Sequence, residues 1–378
     1  MNSVYIHIPF CKSICSYCDF CKMFYNEDFS KKYLESLEKE TSLYKNEILK
    51  TIYIGGGTPS CLKPNDFNKL FNIVSKFRFN KNYEFTVEFN IDDIEEEKLL
   101  IAYKNGVNRL SIGIETINEK FFSLINRYND VNIIKEKIKL CKKYFKNINI
   151  DLMYGFPGES IEDLLRDLNF VLELDIQHIS IYSLILEKNT KLYIDKVKPI
   201  SSELESDMYY LIIDYLEKNG YYHYEISNFS KKGFESLHNL NYWNNNEYYG
   251  FGLGASGYID GIRYTNTKSL NNYIKGNYTL DKEVITINKK IEEELICGLR
   301  KTKGVSKTKF KEKFGVDIRT VIDIDRLIEK NLLKEREDYI FIPKEKLYIS
   351  NSILVDFIID WLKPFVSYSI LSSRRMYE

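Results

Sequence analysis

The sequence has no excess charge of either sign and no long apolar run. Fifty-four Lys and Arg residues balance fifty-four Asp and Glu residues, so there is no global basic field of the kind a nucleic-acid binder carries. No stretch reaches eighteen consecutive apolar residues, and no membrane-spanning helix is expected. The first residues, Met1-Asn2-Ser3-Val4-Tyr5-Ile6-His7-Ile8-Pro9, carry no cationic stretch ahead of an apolar one, so no secretory signal is expected. Histidine is scarce, at four residues, which makes each one conspicuous. The seven cysteines are odd in number and four crowd into positions 11–21, whereas a disulfide framework spreads its cysteines through a small secreted chain. Thiols in a reducing, cytoplasmic setting are the expectation.

What is present is the balance of a globular protein, 44% hydrophobic and 29% charged over 378 residues, enough for one large domain and a smaller one. Residues 4–9, 51–54, 83–89, 109–114, 148–154 and 178–184 read as compact apolar strands without clean polar alternation, as parallel strands covered on both faces do. Amphipathic helices separate them. In one, over 160–172, Ile161, Leu164, Leu165, Leu168 and Leu172 recur at helical spacing behind a capping-box start at Ser160 and Asp163. Six βα units in a row predict an α/β fold with a parallel sheet, two units short of a closed barrel and so an open, partial TIM-like barrel.

Beyond it, 201–207 is polar, 208–219 reads as helix, 221–229 as aromatic and irregular, and 250–261 carries five glycines. Helical patterns over 291–299, 307–314 and 321–330 precede a hairpin-like 332–342, an α+β order resembling a winged helix. The expected divisions are 1–195 for the partial barrel and its cysteine loop, 196–282 for an extension of it, 283–358 for the winged-helix-like domain and 359–378 for a tail. The apolar stretch 353–362 reads as a helix on its own core, with contact to a partner or a membrane surface as the alternative.

Cys11-Lys12-Ser13-Ile14-Cys15-Ser16-Tyr17-Cys18 places three thiols directly after the first strand. Taken alone, the run admits a zinc site or buried thiols. Structural zinc, however, usually takes four ligands in two pairs, and no second CxxC follows. Three closely spaced thiolates suit three corners of a 4Fe–4S cube and leave the fourth iron open. An open iron calls for a bidentate donor, which the amino and carboxylate groups of S-adenosylmethionine supply. The loop leaves the C-terminal end of strand one, where barrel enzymes place their sites.

Residues 5–11 and Cys18-Asp19-Phe20 resemble the radical S-adenosylmethionine superfamily, and within it the branch that holds oxygen-independent coproporphyrinogen III oxidases and HemW heme chaperones. The resemblance runs on through Ile54-Gly55-Gly56-Gly57-Thr58-Pro59, residues 106–113, 150–158 and 224–229, and His238-Asn239-Leu240-Asn241-Tyr242-Trp243. It implies a 4Fe–4S cluster on Cys11, Cys15 and Cys18. It implies S-adenosylmethionine contacts at Tyr5, Tyr17, Gly56, Gly57, Thr58, Glu88, Glu115, Arg127 and Asp151, with the glycine loop taking the methionine amino group. Carboxylates suit ribose hydroxyls or an ammonium, and an arginine suits a carboxylate. Glu115 stands where the family usually has Gln, Ile91 where it has Pro, and Asn129 where a His often follows the arginine.

Two positions divide the branch. The oxidases carry a further Cys two residues after the third cluster Cys, where this chain has Phe20; Cys21 follows at the wrong spacing. The 238–243 segment resembles the HNxxYW stretch of the chaperones, which implies heme contacts at His238, Tyr242 and Trp243. Imidazole is a natural axial ligand and flat rings pack on a porphyrin face. Ser256 stands where the family often has His. The resemblance thus implies a protein that binds heme, a cluster and S-adenosylmethionine and passes heme to an acceptor, respiratory or other heme enzymes being the implied class. It also implies an electron donor such as flavodoxin or ferredoxin and a monomer or homodimer, cytoplasmic or peripheral at the membrane. The alternative is radical oxidative decarboxylation of coproporphyrinogen III.

Overall fold

A computed structural model describes residues 2–354, apart from residue 46. Its centre is a twelve-stranded sheet. Strands β1 (Asn2–Ile8), β2 (Ile48–Gly56), β3 (Arg78–Asn90), β4 (Arg109–Glu115), β5 (Asn147–Tyr154) and β6 (His178–Ser183) lie side by side in chain order, all parallel. All six strands expected from the sequence are present. Beyond β6 a hairpin of β7 (Tyr222–Glu225) and β8 (Asn228–Ser230) adds antiparallel. On the other edge β9 (Tyr248–Phe251) runs parallel to β1, followed by antiparallel β10 (Ser256–Ile259), β11 (Ile262–Asn266) and β12 (Thr279–Val284).

The strands alternate, contrary to the reading of unbroken apolar runs. Val4, Ile6 and Ile8 are buried on one face of β1, and Ser3, Tyr5 and His7 stand on the other. On β3 the apolar face carries Phe85, Val87 and Phe89, and the polar face Glu84, Thr86 and Glu88. The apolar side meets helices: Phe67 and Phe71 of α2 (Pro64–Val74) pack edge-on or tilted against Phe89 and Phe85 at 5.8 and 5.9 Å. The polar side of neighbouring strands hydrogen-bonds to itself, as in Asn149 Nδ2 to Ser111 Oγ at 2.7 Å. The alternation is masked in the sequence because Tyr and Thr favour strands as strongly as Val and Ile.

Between the strands lie α1 (Glu27–Thr41), α2, α3 (Glu96–Lys104), α4 (Glu119–Ile125), α5 (Val131–Cys141) and α6 (Ile161–Glu173). Helix α6 begins with the expected capping box, Ser160 accepting from the Asp163 amide while Asp163 accepts from the Ser160 amide. A one-turn α7 (Lys191–Ile194) precedes α8 (Ser202–Lys218). The sequence reading starts that helix at 208, six residues late: Ser201 caps it and the polar stretch forms its first turns. The stretch expected to be irregular, 221–229, is largely the β7–β8 hairpin. Helix α9 (Leu237–Trp243) follows it.

The chain divides between Thr286 and Ile287. The second unit holds helices Ile287–Gly298, Lys307–Phe314, Ile318–Val321 and Ile324–Glu329, with a three-stranded antiparallel sheet of Val305–Ser306, Tyr339–Phe341 and Lys334–Arg336. The helix read over 321–330 is broken at Ile322 and Asp323, where Asp323 caps the shorter helix that follows. From residue 355 on, the apolar stretch and the tail lie outside the described residues. Among the described residues no helix is long and apolar enough to cross a membrane.

Replacing Ser160 with Ala removes the α6 cap and is expected to cost about 1 kcal/mol, whereas Ser160→Asp retains it. Thermal unfolding checks this: Ser160→Ala melts about 2 °C lower and Ser160→Asp close to the wild type.

Candidate functional site

The predicted ligands gather at the C-terminal ends of β1 to β5. The cysteine loop leaves β1 and is pinned through its main chain. Phe10 and Cys11 pair with Met23 and Phe24. The Ser16 amide donates to Ile125 O at 3.0 Å, and the Leu192 amide donates back to Ser16 O at 3.1 Å. Asn126 takes a left-handed conformation at the end of α4 and donates its side-chain amide to Ile14 O at 3.0 Å. Lys12 pairs with the buried Asp93 at 2.5 Å.

Cys11 is buried; Cys15 and Cys18 are half-buried. Burial pushes all three thiols up, Cys11 to about 11; neighbouring thiols add to the shift at Cys11 and Cys18, and Glu115 adds to it at Cys15. The Arg127 guanidinium and the Tyr17 hydroxyl beside Cys15 oppose that rise. Thr58 Oγ1 donates to Cys11 Sγ at 3.6 Å. Among the described residues, no three His, Cys, Asp or Glu side chains are already gathered around one metal position. The donor set is nevertheless three soft sulfurs on one short loop with no carboxylate among them, which fits an iron–sulfur cluster better than a hard cation.

The glycine loop ends β2. Its amides are occupied: Gly57 N donates to Ile8 O and Thr58 N to Phe10 O, each at 2.8 Å, and Gly56 N donates to Glu88 Oε2 at 3.0 Å. These three N–H groups are therefore already paired. An ammonium, itself a donor, would need the loop's carbonyl oxygens. A Cβ at Gly55 would stand 2.6 Å from the Glu88 carboxylate, and one at Gly56, whose φ is 113°, would stand 2.4 Å from the His7 ring. Glycine here makes room for both side chains.

Glu88 accepts from Tyr53 OH at 2.7 Å as well as from Gly56. Burial, reinforced by the nearby Asp151 carboxylate, raises its pKa to about 7. Tyr53 is a site residue the sequence reading misses. The signal for it is the two-residue step Thr51, Tyr53, Gly55 along β2. Asp151 lies among Asn149 and Ser111, at 2.8 and 3.2 Å, and burial raises it too. Tyr5 OH meets His7 Nδ1 at 2.9 Å, and His7 Nε2 meets Cys21 O at 2.7 Å. Since a carbonyl only accepts, Nε2 carries the proton and His7 is a neutral positioning group.

Glu115 and Arg127 form a buried ion pair, Arg127 Nε to Glu115 Oε2 at 3.0 Å. Tyr17 OH donates to Glu115 Oε1 at 2.9 Å. Arg127 also donates to Asn90 Oδ1 and to Gly113 O. The unusual carboxylate at 115 thus occupies the arginine. Asn129, another departure from the family pattern, ties the turn by donating to Ile114 O and Thr116 O at 2.7 and 2.8 Å.

His238, Tyr242 and Trp243 sit on α9 at the opposite, N-terminal end of the strands. His238 is 1% exposed. Thr51 Oγ1 donates to Ser3 Oγ at 2.7 Å, so it accepts from His238 Nδ1–H at 2.8 Å, and His238 Nε2 accepts from Tyr242 OH at 2.9 Å. Both ring nitrogens are engaged. Glu84 accepts from the Leu237 and His238 amides at 2.9 and 3.0 Å, anchoring the start of α9. Phe20, at the branch-dividing position, is 53% exposed on the cysteine loop.

Two family models match: the Radical SAM superfamily over residues 5–171 and the HemN C-terminal domain over 285–345. The chain is 40% identical over 370 residues to a protein of Lactococcus lactis named heme chaperone HemW, covering 95% of this chain and 98% of that one. The protein of the same name from Bacillus subtilis is 38% identical, over 95% and 99% of the two chains, and that from Escherichia coli 30%, over 93% and 97%. Among solved structures, coproporphyrinogen III oxidase (HemN) from Escherichia coli, a radical SAM enzyme, superposes with a TM-score of 0.83 at 22% identity, covering 94% of this chain and 89% of that one. The α/β fold is therefore that of the radical SAM partial barrel with an added C-terminal region.

Two predictions follow from the buried carboxylates. Between about pH 4.5 and 7 folded Glu88 keeps a proton that the unfolded chain has released, so stability falls as pH rises through that window. The stability of Glu88→Gln relative to wild type, from denaturant titrations of ligand-free protein, is expected to rise by roughly 3 kcal/mol from pH 4.5 to 8. Glu115→Gln leaves Arg127 undercompensated and is expected to destabilise ligand-free protein by about 3 kcal/mol, read as a lower thermal midpoint.

Proposed function

Because this chain belongs to the HemW family of radical SAM proteins, we propose that it is a heme chaperone, holding heme, a 4Fe–4S cluster and S-adenosylmethionine and passing heme to an acceptor protein. The observation that carries the proposal is the 40% identity to a protein of that name, spanning 95% of this chain. Cys11, Cys15 and Cys18 would hold the cluster, with its fourth iron left for the amino and carboxylate groups of S-adenosylmethionine. When bound and reduced, such a cluster supplies one-electron chemistry to that ligand.

The chain's own residues would bind, orient and shield. Glu88 and Asp151 offer acceptors to ribose hydroxyls or an ammonium. Arg127 would take the ligand carboxylate in exchange for Glu115. Tyr17, bonded to Glu115, would close over the ligand beside Cys15, and Thr58 steadies Cys11. Tyr5 bonds His7, whose ring packs against Gly56 of the glycine loop.

Heme contact at His238, Tyr242 and Trp243 would require α9 to move, since His238 is enclosed and its Nε2 lone pair is capped by Tyr242. With Nδ1–H held by Thr51, releasing Tyr242 would leave that lone pair for iron. The oxidase alternative shares the cluster and ligand residues, and Phe20 opposes it.

The test is anaerobic reconstitution followed by hemin titration. Wild type is expected to bind close to four irons, and Cys11→Ser to lose most of them. Wild type is also expected to give a saturable Soret shift, with heme passing to an apo heme enzyme on mixing. Conversion of coproporphyrinogen III without any Soret shift would instead establish the oxidase.

A further inference from the structure

The HNxxYW helix and the proposed S-adenosylmethionine pocket lie at opposite ends of the parallel strands, yet one side chain touches both. Tyr53 stands midway along β2. Its hydroxyl donates to Glu88 Oε1 at 2.7 Å, and its ring lies against the His238 ring, with centroids 5.2 Å apart and planes 30° apart. Tyr5 is a second ring neighbour, at 6.2 Å and 31°. These two ring contacts restrain the Tyr53 ring, so the position of its hydroxyl is set by its neighbours and not by Glu88 alone.

His238 is itself fixed at every polar atom. Thr51, two residues before Tyr53 on the same strand, takes Nδ1–H, Tyr242 caps Nε2, and Glu84 holds the backbone amide. Two residues beyond Tyr53, Gly55 leaves the space that the Glu88 carboxylate fills. Three successive positions on one face of β2 thus link α9 to the carboxylate. Thr51 orients His238, Tyr53 stacks on it and bonds Glu88, and Gly55 admits Glu88.

We infer that the HNxxYW helix acts on the S-adenosylmethionine pocket from beneath, with His238 and Tyr53 as positioning residues that form a strut holding the Glu88 carboxylate against the glycine loop. The inference rests on the proposed ligand role of Glu88. It assigns His238 a role in the closed state distinct from heme ligation. A satisfied core histidine would contribute to stability alone; a strut transmits its loss to ligand binding.

The strut is tested by measuring S-adenosylmethionine binding anaerobically, by equilibrium dialysis, on cluster-loaded wild type, Tyr53→Phe, His238→Ala and the double variant. Iron content and hemin Soret titrations are recorded on the same samples. Tyr53→Phe keeps the ring and loses only the hydroxyl, so it is expected to fold normally and to bind the ligand about tenfold more weakly, the worth of one hydrogen bond to a carboxylate. His238→Ala is expected to weaken binding by a similar factor, and the double variant no further, because both act through one contact. Wild-type affinity in Tyr53→Phe, or losses that multiply in the double variant, overturns the strut. So does a His238→Ala protein that loses its Soret shift with ligand affinity intact. Iron-replete wild type that binds no S-adenosylmethionine instead removes the cofactor reading, and the strut with it.

Discussion

The constraint that organises this structure is that six parallel strands are buried on both faces while one of those faces is polar. A polar side chain shut away from water must find its partner inside. The interior therefore solves a hydrogen-bonding problem before it can serve a ligand. Ser3 is bound by Thr51, Thr51 by His238, Asn149 by His178, and Asp151 by Asn149 and Ser111. Each strand contributes every second residue to this lattice, so a slip of one residue in any strand would exchange its polar and apolar faces. The same constraint explains why a histidine can sit at the floor of the sheet with no exposed atom to spare: the lattice uses both of its nitrogens.

Charge in that interior is compensated unevenly. Glu88, Glu115 and Asp151 are all pushed up by burial, while Arg109 and Arg127 pull in the opposite direction. Arg109 is 2% exposed, and its Nε meets no acceptor within the described residues. Its charge nevertheless reaches Glu88 and Asp151 and favours their ionised forms. Arg127, by contrast, meets Glu115, Asn90 and Gly113. The acidic groups sit toward the C-terminal ends of the strands, where the thiols also sit, raised by burial. Burial holds these groups nearer neutrality than they would be in water, so a cationic ligand entering there can be met by carboxylates that ionise in response.

Much of this was legible beforehand, for physical reasons that differ by element. The six strands announced themselves because β-branched and aromatic residues cluster between helices of clear 3.6-residue period. The α6 cap was readable because Ser160 and Asp163 stand at the spacing a capping box needs. The start of α8 was not, because Glu203, Glu205 and Asp207 look like linker until Ser201 is recognised as their cap. The cysteine loop stood out by its spacing, although spacing alone left zinc and buried thiols open as readings. Tyr53 was not, since a tyrosine in a strand looks like any other strand residue until its partner Glu88, 35 positions away, is brought beside it. Partnership across strands is a property of register, and register is fixed by the whole sheet and by no local motif.

The departure at position 115 shows how one local change works through such a lattice. A glutamine there would offer Arg127 a neutral oxygen and leave the guanidinium short of a counter-charge, which a ligand carboxylate would then provide. The glutamate provides the counter-charge itself, and its left-handed backbone at φ 63° turns its side chain toward Arg127 and Tyr17. The ligand-free protein is thereby stabilised by a contact that a ligand carboxylate, on the proposed role of Arg127, would have to replace. When it does, Glu115 must either find another donor, Tyr17 being the one already in place, or take up a proton, to which burial already inclines it. On the proposed ligand role of Arg127, binding at this site would be an exchange of carboxylates on one arginine, with its strength set by the difference between two ion pairs and not by the strength of either.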